Sequence, residues 1–243
     1  MKTLFCCLSL LALAAAPACA QAPAATPPPK PAALPPLPAN PTPEQEREYE
    51  RQRWNYALTD STWRATRFNT QPNTLLVESV KGRKPGTALD VGMGEGRNAV
   101  YLAKQGWQVT GVDIADQAVA LAQKQAQAAG TKINTVVQDA DAYDWGKAKW
   151  DLIVLSYAGG REYANRVKQA LRPGGIVVLE GFHADAVQQS GGKIGEGVVF
   201  QPDELRKLYA AAGLKILRYE EPMGVADFSK QHLRLVKLVA QKL

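Results

Sequence analysis

From residue 87 to the C-terminus, short aliphatic runs and helix-like stretches take turns, and this alternation restricts the chain to few folds. β-rich apolar runs at 87–91, 108–113, 133–138, 150–155, 176–180, 214–219 and 233–240 read as seven strands. Helical patterns lie between them at 96–105, 116–129, 161–171 and 203–212. Gly106, Gly130, Pro173-Gly174-Gly175 and Gly213 punctuate the ends. Continuously aliphatic strands are buried on both faces, which is the habit of parallel sheets covered by crossover helices. The expected architecture is α/β, a doubly wound, mostly parallel seven-stranded sheet. Ahead of it, Thr42-Pro43-Glu44-Gln45 has the hydroxyl, proline and acids of a helix start, and a second helix is expected over 72–80. Residues 44–82 form the helical entry to a domain spanning 44–243.

Ligands of such sheets bind beyond the carboxyl ends of the strands. The first strand runs into Asp90-Val91-Gly92-Met93-Gly94-Glu95-Gly96-Arg97-Asn98, where alternate glycines permit a sharp turn and close approach of a ligand. Asp113 ends the second strand, 113 − 94 = 19 residues past the middle glycine, where a carboxylate can hold both hydroxyls of a ribose. A dinucleotide fingerprint would place its third small residue where Arg97 stands, and arginine there opposes both helix–strand packing and a pyrophosphate. Asp116, three residues beyond Asp113, reads as solvent-facing.

The glycine loop resembles the D-x-G-x-G-x-G motif of class I S-adenosylmethionine-dependent methyltransferases. Ala88 to Asn98, Tyr101-Leu102-Ala103, Gly106 and Val112-Asp113 are similar to the small-molecule branch that includes the tellurite-resistance methyltransferases, the Gly96-Arg97-Asn98 triplet especially so. Asp139-Ala140, Leu171-Arg172-Pro173-Gly174-Gly175, Glu204-Leu205 and Ala212-Gly213-Leu214 extend the likeness over nearly all of 68–242. Met93 departs from it, standing where a small residue or cysteine is commoner. The resemblance implies S-adenosylmethionine as cofactor. It implies backbone contacts from Gly92, Gly94 and Gly96, with Asp90 near the ammonium and Asp113, flanked by Ile114, on the ribose. Asp139 and Ala140 would meet the adenine, and Ser156 would border the same site. Arg97 and Asn98 would fix the loop or the methionine carboxylate, or serve structure alone.

On the acceptor side, Tyr157, Arg161, Phe182 and His183 follow the fourth and fifth strands. His183 is the candidate general base, with a hydrogen-bonded rim histidine as its bland counterpart. Trp54, Trp63 and Phe68 either wall the acceptor pocket or pack an N-terminal helix; Trp107, Trp145 and Trp150 read as core or strand-end residues, Trp145 being the one best placed for adenine. Nucleic acid is not the expected partner. The branches that methylate adenine amines or glutamine amides carry a polar residue and Pro-Pro-aromatic after the fourth strand, where this chain has Ser156-Tyr157-Ala158-Gly159. The net charge of +6 is not gathered into runs. A metal is not expected either, since His183 and His232 are the only histidines. The acceptor is expected to be a small or lipophilic molecule. Two other functions fit the same residues: a non-catalytic binder of adenosyl ligands, and a nicotinamide oxidoreductase, which Arg97 opposes.

The front of the chain has a different character. Lys2, an apolar stretch over 4–16 and Ala18-Cys19-Ala20 form the pattern of an export signal, with cleavage expected after Ala20. Lipid attachment at Cys19, which would tether the protein to a membrane, is a second reading, and an uncleaved anchor a third. All three cysteines, Cys6, Cys7 and Cys19, lie in this leader, so the domain carries no thiol. Ten of 16 prolines fall between Pro23 and Pro43, which makes 21–43 an extended, unpacked linker. The expected location is the periplasm.

Overall fold

The computed structural model of the protein describes residues 34 and 36–243. The expected leader and most of the proline-rich linker lie outside the described residues.

Among the described residues, three helices precede the sheet: α1 (Pro43–Thr59), α2 (Ser61–Arg67) and α3 (Thr74–Val80). The start of α1 follows the sequence: Thr42 accepts from the Gln45 backbone N–H, and the Gln45 side chain accepts from the Thr42 N–H. Asp60 separates α1 from α2 and caps the latter by accepting from the backbone of Thr62 and Trp63. The pattern over 61–67 is too short to announce a helix, and α2 was not expected.

The remaining elements are β1 (Thr87–Val91), α4 (Arg97–Lys104), β2 (Gln108–Asp113), α5 (Asp116–Ala128), β3 (Asn134–Val137), β4 (Trp150–Ser156), α6 (Ala164–Ala170), β5 (Leu171–His183), α7 (Ala186–Gln189), β6 (Val199–Phe200), α8 (Glu204–Ala211), β7 (Leu214–Glu220), β8 (Met223–Val225) and β9 (His232–Lys242). Each of the seven expected strands is present. Among the described residues the sheet nevertheless has nine, because β6 pairs with β5 and β8 with β9. Strands of two and three residues leave no readable periodicity.

The main order is β3-β2-β1-β4-β5-β9-β7. β1 to β5 run parallel, and β9 inserts antiparallel between β5 and β7, so the sheet is partly antiparallel. Residues 171–175, in which Pro173-Gly174-Gly175 reads as the break between helix and strand, are drawn into β5 with a register shift between Trp150 and Leu152 on β4.

Alternate strand residues enter two cores. Ala88, Val109, Leu152, Val154 and Ile176 pack with α3 and α4. Leu89, Val91, Ile153, Leu155 and Val177 pack with α6 and α8. Burial on both faces explains the unbroken aliphatic runs. It leaves the carboxyl ends of β1, β2 and β4 as a polar edge facing one cavity.

Candidate functional site

The cavity over that edge has a volume of about 950 Å³, near the upper end of the range of about 300–1,000 Å³ for small-molecule sites. It is bordered by α1, α2, the glycine loop and the segments after β2, β3, β4 and β5. Eight carboxylates and five cationic side chains line it, a balance of 8 − 5 = 3 towards negative in a chain whose net charge is +6.

Of the residues read from sequence, Gly92, Gly94, Arg97, Asn98, Asp113, Ile114, Asp139, Ala140 and Ser156 line this one cavity. So do Tyr157, Arg161 and Phe182. The Asp113 carboxylate sits between two backbone amides, Oδ2 accepting from Gly94 N–H at 2.9 Å and Oδ1 from Ala115 N–H at 2.9 Å. These bonds orient it and use about two of its roughly four acceptor positions, leaving both oxygens able to accept again. Burial pushes the Asp113 carboxyl above the usual carboxylate range, against the pull of those amides. Gly94 has φ of +56°, and a Cβ there would meet nothing within 4 Å, so its backbone is bare towards the cavity.

Asp90 and Gly96 stand behind this surface. Asp90 is 1% exposed, and one of its oxygens has no hydrogen-bond partner. Burial drives its carboxyl up to about 7, opposed chiefly by the Arg97 charge. Gly96 is the residue before the first turn of α4. Met93 turns into the core against Val119 and Ala122, and its thioether occupies the space that a side chain on Gly111 would need.

Arg97 and Asn98 have definite tasks. The Arg97 guanidinium donates to Ser156 Oγ at 3.0 Å and to the Gln71 carbonyl at 2.9 Å, and pairs with Asp227 at 2.8 Å. Asn98 Oδ1 accepts from the Asn73 N–H at 2.9 Å. Asp227, absent from the sequence reading, also accepts from Asn69 Nδ2 at 2.9 Å and Asn73 Nδ2 at 2.7 Å. Its own N–H donates to the Tyr157 hydroxyl at 3.3 Å. Asp227 thus ties the loop after β8 to the entry of α3 and to α4 through its carboxylate, and to the segment after β4 through its backbone N–H.

Tyr157 adopts φ of +60°, an uncommon conformation for a bulky residue that costs on the order of 1–3 kcal/mol. Its hydroxyl donates to Glu180 Oε1 at 2.8 Å. Burial, and then the Glu180 charge, hold the phenol well above its ordinary value. The ring lies 4.8 Å from Phe182 between centroids. Phe182 begins an aromatic wall centred on Phe228, which lies 5.3 Å from Phe68, 5.9 Å from Trp54 and 6.4 Å from both Trp63 and Phe182. Trp54, Trp63 and Phe68 therefore line the cavity and pack the N-terminal helices at once. Arg161 reaches the rim, where its guanidinium is held by Glu204 and the Val199 carbonyl.

One reading is corrected by placement. His183 is 2% exposed and does not line the cavity. Its Nδ1 accepts from Asp185 N–H at 3.1 Å, and its Nε2 lies 3.6 Å from Glu221. At the end of β5 consecutive side chains point to opposite faces; Phe182 takes the cavity side and His183 the other. Trp145 lies in the core, as its reading as a core residue expects, and its indole donates to the Ala140 carbonyl at 3.0 Å, so it supports the Ala140 segment without lining the cavity. Among the described residues, no group of three or more His, Cys, Asp or Glu is arranged to hold a metal ion. Among the same residues, no helix is long and apolar enough to cross a membrane.

Asp227 and Phe228 went unread because one aspartate and one phenylalanine in a loop form no motif. The available signal was weak: a phenylalanine between Gly224 and Ser229-Lys230 has no reason to be at a surface turn unless it is buried elsewhere.

A family profile described as a methyltransferase domain matches residues 88–175. The chain is 28% identical over 189 residues to hemagglutinin 1 of Eikenella corrodens, which covers 71% of this chain and 60% of that protein. A shorter match, 44% identical over 50 residues, joins 19% of this chain to 15% of ribosomal RNA small subunit methyltransferase C of Alcanivorax borkumensis. The chain spans less than two thirds of the length of the curated relatives it matches. Among solved structures it is similar to the 1,6-didemethyltoxoflavin-N1-methyltransferase of Burkholderia thailandensis with bound 1,6-didemethyltoxoflavin and S-adenosylhomocysteine. Identity there is 20% and TM-score 0.61, over 86% of this chain and 93% of that one. It is also similar to the magnesium protoporphyrin IX methyltransferase of Synechocystis with bound S-adenosylmethionine, at 20% identity and TM-score 0.59 over 82% and 97% of the two chains. TehB of Haemophilus influenzae gives 22% identity and TM-score 0.57 over 69% and 61%. At these identities the likeness is one of fold: the chain has the α/β, Rossmann-like fold of the class I S-adenosylmethionine-dependent methyltransferases.

Proposed function

We propose that the protein is an S-adenosylmethionine-dependent methyltransferase acting on a small or lipophilic acceptor. The observation that carries this reading is the pairing of Asp113 with Gly94. A carboxylate fixed by two amides, with acceptor capacity left over, stands beside a bare backbone in a cavity wide enough for a nucleoside and a second molecule. Asp113 and Ile114 would hold the ribose, Asp139 and Ala140 the adenine, and Gly92 and Gly94 the amino-acid part. The unpartnered oxygen of Asp90 stands behind the loop and fits a nearby ammonium. When bound, the cofactor supplies an electrophilic methyl on a sulfonium, and the chain supplies position and exclusion of water. The small-molecule, tellurite-resistance-like branch is favoured by the Gly96-Arg97-Asn98 triplet and by the fold likeness to TehB. Nucleic acid is disfavoured by a cavity whose carboxylates outnumber its cations.

A second reading, a non-catalytic binder of adenosyl ligands, draws on the match to a protein named hemagglutinin 1. Calorimetric titration of S-adenosylmethionine and of NAD into the full chain tests the cofactor. Binding of NAD with none of S-adenosylmethionine would overturn both readings. Binding without methylated product in a cell-extract assay would favour the second. We further propose export to the periplasm, with a mature terminus at Gln21 or an acylated Cys19; a soluble cytoplasmic pool with Met1 intact, found by mass spectrometry, would refute it.

A further inference from the structure

The acceptor end of the cavity combines three features that are rarely useful together. Its wall is aromatic, with Trp54, Trp63, Phe68 and Phe182 all within 6.4 Å of Phe228 between ring centroids. The cavity it belongs to is, as a whole, lined by more carboxylates than cations, eight to five. Among the described residues it also lacks a free base beside the aromatic wall. His183 faces away, the Tyr157 hydroxyl is committed to Glu180, and Asp227 is committed to Arg97, Asn69 and Asn73. Glu46 and Glu162, the lining acids with no partner among the described residues, are exposed at the rim.

An acceptor that must lose a proton is poorly served here, and an anionic acceptor would enter against the charge of the lining. A neutral nitrogen with a free lone pair needs no base. Aromatic faces and nearby carboxylates both favour the cation that its methylation creates. We propose that the acceptor is a flat, neutral nitrogen base, an aza-arene or aromatic tertiary amine, and that the aromatic wall holds its methylated, cationic product; this rests on the methyltransferase reading. The nitrogen lone pair forms the new N–C bond while the methyl–sulfur bond breaks and its electron pair returns to sulfur. The sulfonium becomes a thioether and the neutral nitrogen becomes a cation. One positive charge is conserved throughout, and no proton is released.

The test compares two probes of nearly one shape on the full chain saturated with S-adenosylhomocysteine: 2-methylisoquinolinium, a cation, and 2-methylnaphthalene, its neutral counterpart. Cation–π contacts of about 0.5–2 kcal/mol correspond to a preference of about two- to thirtyfold for the cation. Trp63→Leu and Phe228→Leu are expected to bring that ratio towards one. It is read at saturating nucleoside, so effects on cofactor affinity drop out. If either variant fails to fold, the ratio in the parent protein decides alone. A ratio of one or less in the parent, with the nucleoside bound, would overturn this proposal and leave the methyltransferase reading intact. Absence of nucleoside binding would overturn both. In a turnover assay with S-adenosylmethionine, isoquinoline is expected to be methylated faster than 2-naphthol; the reverse order would also overturn the assignment.

Discussion

The cofactor end of the cavity is assembled from consecutive strand ends between Asp90 and Ser156, each held by backbone bonds of the sheet. The acceptor end is assembled from pieces as distant in sequence as Trp54 and Phe228, held by ring contacts and a buried polar network. In the first, the fold dictates where functional groups must lie. In the second, the functional groups themselves hold the fold together. Substitutions at the two ends should therefore fail differently: in binding at the cofactor end, in stability at the acceptor end.

The largest expected effect is an exception that tests the division, because Asp90 belongs to the cofactor end yet is buried. Its folded-state carboxyl titrates near 7, against 3.8 for the ordinary group. Between those values the folded protein keeps a proton that the unfolded chain has released, so stability falls as pH rises from about 4 to about 7. At about 1.4 kcal/mol per unit the fall is on the order of a few kcal/mol. Asp90→Asn should flatten most of the fall between about pH 5 and 7 in urea titrations; Asp113, raised by the same cause, adds a slope of the same sign, while Glu204 and Glu220, held low by Arg161 and Arg218, add one of opposite sign below about pH 5. Equal slopes for parent and Asp90→Asn between about pH 5 and 7 would contradict the burial argument.

Asp227→Ala comes next. Arg97 and Asp227 are only 16% and 10% exposed, and removing one partner of a mostly buried pair costs about 3 kcal/mol. Two asparagine amides also lose their acceptor. The urea midpoint should drop, and Asp227→Asn, which keeps an acceptor oxygen, should recover part of it. A midpoint unchanged in Asp227→Ala would show that the acceptor end does not depend on its polar network.

Asp113→Ala should do the converse. Bonds to a charged acceptor contribute about 1.5–3 kcal/mol each, and water replaces part of that, so affinity for S-adenosylmethionine should fall by about one to two powers of ten. Circular dichroism should show an intact fold, since the side chain only ties a loop. Calorimetry giving equal affinities for variant and parent would remove Asp113 from the ribose.

The same division explains what could be read from the amino acids. Strand ends, glycine spacing and the Asp113 carboxylate are local in sequence, and each leaves a pattern within about 25 residues. β8, β6 and Phe228 leave none, because their positions are set by pairing with β9 and β5 and by rings contributed from α1 and α2. His183 was misplaced by one residue of strand alternation: Phe182 and His183 are neighbours in sequence and opposite in space. Arg97 was read as touching ligand or loop, and the structure adds Asp227 as a partner that no spacing could predict.

The smallest expected effect lies where the two ends meet. Asp116 was read as solvent-facing, and its side chain is indeed 56% exposed, yet it accepts from Arg51 at 3.1 Å and from Asn55 at 3.2 Å, both on α1. Gln117 N–H donates to Asn55 Oδ1 at 3.0 Å, and Arg47 lies 3.9 Å from Asp139 on the same side of the cavity. A largely polar helix is thus fastened over the cofactor end by exposed ion pairs, which contribute about 0.2–1 kcal/mol each and weaken with salt. Asp116→Ala should leave the fold intact and speed dissociation of the nucleoside by less than about fivefold at low salt, with parent and variant converging at about 1 M salt. Stopped-flow tryptophan fluorescence, with Trp54 on α1 and Trp63 on α2 both lining the cavity, would report it. A loss as large as that of Asp113→Ala, and insensitive to salt, would mean that α1 is part of the cofactor site itself. The boundary between an end made by the sheet and an end made by side chains would then have to move.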